Sequence, residues 1–144
     1  MPEFKDYADH VLVNAKTLAQ GFAAYPDVLL TGGTDKHYIV LDVKKAFGID
    51  GETAEKRLES VGILSSRQTL PSDASSKMSE AGGLRLGTAW SSSRGYRAED
   101  FRAIAGIICE TLSGAADEAQ LSSLKARVNL IATRKKAHDV WGNR

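Results

Sequence analysis

Residues Glu80–Tyr96 read EAGGLRLGTAWSSSRGY, and the fold turns on the LRLGT within it. Leucines at 84 and 86 on either side of Arg85, closed by Gly87 and Thr88, predict a short buried strand. A guanidinium in such a strand is costly unless a carboxylate or phosphate answers it. Glu80 stands five residues back and Asp100 fifteen ahead, so no partner is obvious nearby. Arg85 therefore awaits either an internal salt bridge or an anion from outside.

Outward from this strand, the chain alternates helical and strand-like patterns. Phe4, Tyr7, Val11, Ala15, Leu18 and Phe22 recur at three- and four-residue spacing, which predicts an amphipathic helix over 2–25, stopped by Pro26. DVLLTGG and HYIVLDV are β-rich runs split by the turn signal GGTDK and are expected to pair. DGETAEKRLESVG predicts a second helix, with Asp50 as N-cap and Gly62 just past its end. A short strand at Ile63–Ser65 and a long loop between Gln68 and Gly83 follow; loops of this length are often functional. A third helix is expected over 98–112, burying Phe101, Ile104, Ala105, Ile108 and Leu112. A last helix over about 117–136 carries Leu121, Leu124, Val128 and Ile131 on one face. The order predicts one α+β domain over 1–144, a small, mostly antiparallel sheet covered by helices, with its core in 27–113.

Composition narrows the function classes. With 144 residues, 42% hydrophobic and a net charge of +1, the chain has an ordinary globular balance and no field to recruit nucleic acid or anionic membrane. Lys125, Arg127, Arg134, Lys135, Lys136 and Arg144, against Asp139, read as a solvated helix end. Cys109 is the only cysteine, which excludes an intrachain disulfide; beside Ile107 and Ile108 it reads as a small core residue. No apolar run is long enough for a bilayer and MPEFKDYADH does not read as a signal peptide, so a soluble, cytoplasmic protein is expected.

Catalytic machinery is sparse. The pairs Gly32-Gly33 and Gly82-Gly83 fail the spacing of a phosphate loop. His10, His37 and His138 are scattered and form no metal-ligand pattern, and His10 and His138 read as surface residues. Thr34, Asp35 and His37 share one turn, where such side chains ordinarily bond turn amides. Ser91, Ser92 and Ser93 have no histidine near in sequence to activate a nucleophile.

The stretches PEFKDYADHVLVNAKTLAQGF, LLTGGTDKHYIVLDV, TAEKRLESVGI, TLPSD and GGLRLGTAWSSSRGYRAEDF resemble, in order and spacing, the small C-terminal domain of serine hydroxymethyltransferases. The resemblance runs from Pro2 to about Val128, and GGTDKH and GLRLGT…SRGY are its specific parts. It implies the C-terminal domain of a fold-type I pyridoxal-phosphate enzyme, a dimer or tetramer that interconverts serine and glycine with tetrahydrofolate. The lysine that carries pyridoxal phosphate belongs, in that family, to a larger domain not represented here. Position in GLRLGT implies that Arg85 grips the amino-acid substrate's carboxylate, with the Thr34, Asp35 and His37 turn near the site.

Two departures stand out. Ser66, Arg67 and Gln68 precede Thr69-Leu70-Pro71 where the family has Asn-Lys-Asn, so Gln68 stands for the folate-pocket asparagine. Ala89-Trp90 replaces Pro-Ala. Both raise a folate-independent relative, of the threonine aldolase or transaldolase type, as an alternative. The chain is further expected to be a piece of a longer enzyme or a split subunit joining a large pyridoxal-phosphate domain in a hetero- or homo-oligomer. A non-catalytic partner is the remaining reading.

Overall fold

The computed structural model describes residues 2–25, 27–114 and 117–133. Pro26, His138, the cations Arg134, Lys135, Lys136 and Arg144, and the expected end of the last helix lie outside them. The elements are α1 (Pro2–Gln20), β1 (Tyr38–Asp42), α2 (Val43–Phe47), α3 (Gly51–Ser60), β2 (Ser66–Gln68), a 3-10 turn (Met78–Glu80), β3 (Gly83–Gly87), α4 (Ala89–Ser93), α5 (Ala98–Ser113) and α6 (Glu118–Thr133). The strands form one antiparallel sheet in the order β1-β3-β2, so the α+β class read from the sequence holds.

Strand alternation sets the two faces of this sheet. Ile39 and Leu41 of β1 and Leu84 and Leu86 of β3 are buried against Leu18, Phe22, Leu58, Phe101 and Ile108. Each such side chain contributes about 1.5–3 kcal/mol on leaving water. The other face leaves Ser66, Arg85 and Gly87 exposed. Val61, Ile107, Leu124 and Ile131 make a second cluster that seats α6 on α5.

Several boundaries differ from those read in the sequence. α1 ends at Gln20 rather than at 25, because the chain tightens into three-residue turns there. Gly21, Phe22 and Ala23 donate to the carbonyls of Leu18, Ala19 and Gln20. Gly21 lies against the Ala105 Cβ of α5, leaving no room for a side chain. Phe4, placed on the buried stripe, is exposed.

Residues 27–33 form no strand. Asp27 and Gly32 take left-handed φ values of 67° and 70°, bending the chain at both ends and leaving a single bridge, Leu29 to Leu41. The strand expected at 63–65 begins instead at Ser66. The end of α3 occupies Ile63, whose N–H donates to Leu58 O (2.9 Å) while that of Gly62 donates to Glu59 O (2.9 Å). Asp50 and Gly62 take the cap positions read for α3. The short helices α2 and α4 were not foreseen. Asp42 caps α2 by accepting from Lys45 N–H (2.8 Å), and Thr88 precedes α4.

The loop 69–82 is pinned by one carboxylate. Asp73 Oδ2 accepts from Leu70 N–H (2.8 Å) and Gly82 N–H (3.0 Å). The Gly82 and Leu70 donors hold the Asp73 carboxyl below its ordinary value. A lowered folded pKa stabilises fully above about pH 4, and that stability is lost as pH falls through the folded value. Asp73→Ala is expected to cost about 1–3 kcal/mol at neutral pH by leaving these donors unpaired. Thermal melts of both proteins across pH should show the gap closing below pH 4, with faster hydrogen exchange at Leu70 and Gly82.

Candidate functional site

Arg85 occupies the middle of β3, itself the middle strand, opposite Val40 on one side and Ser66 on the other. Its position on the outer face corrects the sequence reading of a buried arginine: the side chain is exposed. The LRL triplet buries its leucines, and the pleat turns the residue between them outward. No carboxylate among the described residues pairs with it, so the internal salt bridge is not formed there. The guanidinium carbon instead stands 5.9 Å from the centroid of the Tyr38 ring.

Arg85 sits in an open groove of about 280 Å³ lined by His37, Tyr38, Leu64, Ser65, Ser66 and Gly87. Ser65 lines the groove, but its hydroxyl is itself fully buried and has no hydrogen-bond partner among the described residues. The exposed guanidinium suits an anionic oxygen. No lysine lines this groove, so these residues fit a carboxylate and not the covalent attachment of pyridoxal phosphate.

The TGGTDKH turn divides its labour. Thr34 Oγ1 accepts from Lys36 N–H (3.0 Å) and donates to Tyr38 O (2.8 Å), holding the entry to β1. Asp35 is 95% exposed and faces Lys16 at 3.4 Å. His37 alone of the three reaches the groove. Its carbonyl accepts from Thr88 N–H (2.8 Å) and Thr88 Oγ1 (3.0 Å), and its ring meets Tyr38 edge-on at 5.1 Å. The hydroxyl of buried Thr88 shares its one proton between His37 O and Val11 O (3.1 Å), tying α1 to the ends of β1 and β3.

Ser66 joins Arg85 by register, but Gln68 does not line the groove; it pairs opposite Gly83, and its Nε2 donates to Thr69 O (3.4 Å). Arg67, between them, pairs with Glu55 (2.8 Å) and Glu52 (3.6 Å) of α3. Burial pushes the Cys109 thiol up to about 11, which leaves it protonated and unreactive, in keeping with a core residue. Ser92 accepts from Asn14 Nδ2 (2.8 Å) and Ser93 donates to Trp90 O (2.7 Å), so both hydroxyls serve local structure. His10, exposed as expected, contacts Arg97 at 3.0 Å. No helix among the described residues is long and apolar enough to cross a membrane.

Sequence reasoning missed Tyr38 and Ser65. Tyr38 was legible as the outward partner in the β1 alternation; Ser65 was hidden because β2 was placed on it rather than after it.

Comparison with known proteins places this chain in a family. The family model described as serine hydroxymethyltransferase matches residues 1–108. Serine hydroxymethyltransferase 2 of Rhodopseudomonas palustris is 43% identical over 111 residues, covering 77% of this chain and 25% of that protein. The serine hydroxymethyltransferase of Mesoplasma florum is 39% identical over 127 residues, 88% of this chain and 30% of its own length. That of Mycolicibacterium smegmatis is 38% identical over 138 residues, 95% and 27% respectively. The chain thus spans about a quarter to a third of the length of these curated relatives. Matched over most of its own length, by the family model and by these relatives alike, the chain belongs to the serine hydroxymethyltransferase family.

Proposed function

We propose that this chain supplies Arg85 as the grip for an amino-acid carboxylate in a pyridoxal-phosphate enzyme of the serine hydroxymethyltransferase type, completed by a larger lysine-bearing domain. The observation that carries this reading is an exposed guanidinium at the centre of the open sheet face, in a groove and with no carboxylate partner among the described residues. A bidentate grip fixes the carboxylate and with it the orientation of the substrate's Cα bonds. Pyridoxal phosphate, if bound in a larger domain, would supply an electron sink for bond cleavage at the Cα that Arg85 orients. Within this chain, the strand geometry holds Arg85 between Val40 and Ser66.

The isolated chain is expected to be inactive. Titrated with pyridoxal phosphate, it should take up no stoichiometric cofactor at one defined lysine, as read by visible spectrum and by mass spectrometry after borohydride. Co-expressed with a family large domain, it should give a yellow complex of defined stoichiometry that cleaves serine. Separate elution of the two proteins at micromolar concentrations, with no joint activity, would favour the non-catalytic reading.

Independence from folate is supported by Gln68, which stands where the family has an asparagine and whose extra methylene displaces the amide. Aldehyde exchange on β-hydroxy amino acids by the complex should then change little when tetrahydrofolate is added. Strict dependence of serine cleavage on the folate would restore the ordinary family reaction.

A further inference from the structure

We propose that Tyr38 is a positioning residue for Arg85: its ring steadies the guanidinium and leaves the donor edge of the fork free for a carboxylate. The inference rests on the reading of Arg85 as a carboxylate grip and adds what holds that grip in place.

Register brings the two side chains together. Tyr38 stands opposite Gly87 in the β1-β3 ladder, and Arg85 is two residues before Gly87 on β3. Residues so related are diagonal neighbours on one sheet face, about 7–8 Å apart and within reach of aromatic and long side chains. Tyr38 is half-buried and Arg85 exposed on the outer face, while Ile39, Leu84 and Leu86 fill the core. Gly87 has no side chain to stand across from the phenol, so the space above it is left to Tyr38 and Arg85. Even a Cβ there would have only His37 O as a neighbour, at 4.0 Å. The Arg85 guanidinium carbon lies over the Tyr38 ring, 5.9 Å from its centroid.

The ring is itself restrained. His37 meets it edge-on, with centroids 5.1 Å apart and planes at 78°. Thr34 Oγ1 donates to Tyr38 O (2.8 Å) and fixes the backbone at the head of β1. An arginine alone on an open sheet face samples many rotamers, and that freedom is lost when it grips a carboxylate. Contact with a ring face removes part of the freedom beforehand and brings no competing oxygen. A salt bridge would also order the side chain, but it would occupy the N–H fork that a substrate carboxylate needs. No carboxylate among the described residues makes one with Arg85. Tyr38 orders the guanidinium and leaves its donors open.

Two measurements test this. In the free full chain, the Arg85 Nε–Hε cross-peak, assigned by its loss in Arg85→Lys, should be shifted upfield by the ring current and show a positive heteronuclear NOE. Tyr38→Phe should keep both signatures and Tyr38→Leu should lose them, with the amide shifts of Leu84 and Leu86 reporting that β3 is kept. In the complex with a family large domain, Tyr38→Leu is expected to raise KM for serine about two- to fivefold with little change in kcat, the scale of an exposed cation–π contact. Tyr38→Phe should restore the parent KM, because the ring face and not the hydroxyl makes the contact. An Arg85 Nε–Hε resonance at its random-coil position in the unmodified chain would overturn the proposal without any variant. So would a Tyr38→Leu complex with the parent KM, or a Tyr38→Phe complex as impaired as Tyr38→Leu. If Arg85→Ala still cripples the complex in those cases, the carboxylate grip stands and only its positioning by Tyr38 falls. An Arg85→Ala complex with parent kinetics would remove the grip, and the role of Tyr38 with it.

Discussion

Gly83→Val is expected to destabilise the fold by about 3 kcal/mol or more, at the upper end of what overpacking costs. For a chain of this size that lowers Tm by on the order of 10 °C. A Cβ at position 83 would stand 2.5 Å from Gln68 O and 2.5 Å from Leu70 Cδ2. The first of these is backbone of β2, so rotation of a side chain cannot relieve it. β2 must move, and Gln68 lies directly opposite Gly83 in the ladder. The strand has only three residues, so a shift at Gln68 reaches Ser66, the neighbour of Arg85. Gly33→Ala is the control: a Cβ there meets nothing within 4 Å and the backbone is not left-handed, so Tm should barely change. A thermal melt of the two variants decides the point; a Gly83→Val protein as stable as the parent would show that β2 is free to slide.

The amphipathic helices were legible because their signal is local and repeated. The stripes read for α5 and α6 are the ones that pack, and Asp50 and Gly62 cap α3 where the residue types placed them. What the sequence hid depends on partners distant along the chain. LRL reads as a buried strand, and only the packing of its leucines against the helices, on one face of the sheet, shows that Arg85 looks outward. DVLLTGG has strand composition, yet the left-handed backbone at Asp27 and Gly32 reduces it to one bridge. The helices α2 and α4 are single turns stabilised by tertiary contacts such as Thr88 with His37, which no local period announces.

The candidate site divides in the same way. Arg85 stood out because a charge between two leucines violates a strand's pattern. His37 was singled out with its turn, but its meeting with Tyr38 and Arg85 follows from the pairing of β1 with β3 in antiparallel register. Gln68 was read as a folate-pocket equivalent from its place after Arg67. The structure sets it two residues along β2 from Ser66, outside the groove, with its amide near Thr69 O.

Arg85→Ala is expected to separate function from folding completely. The guanidinium is exposed, makes no ion pair among the described residues, and has the Tyr38 ring at 5.9 Å as its described contact. An exposed contact of that kind contributes about 0.5–1 kcal/mol, so Tm of the chain should fall by no more than a few degrees. In the complex with a large domain, the same change removes charge-assisted hydrogen bonds of about 1.5–3 kcal/mol each. The expected loss in kcat/KM is roughly tenfold to hundredfold for one bond, and larger if the substrate also loses its orientation. Arg85→Lys should recover only part of this, because an ammonium keeps the charge without the planar fork. The measurements are a melt of each free variant and kcat and KM of each assembled one, with serine as substrate. If kcat/KM of the assembled Arg85→Ala enzyme matched the parent, the substrate carboxylate would have to be held elsewhere. If the free variant unfolded instead, Arg85 would be bearing a structural load that its exposed position on β3 does not provide.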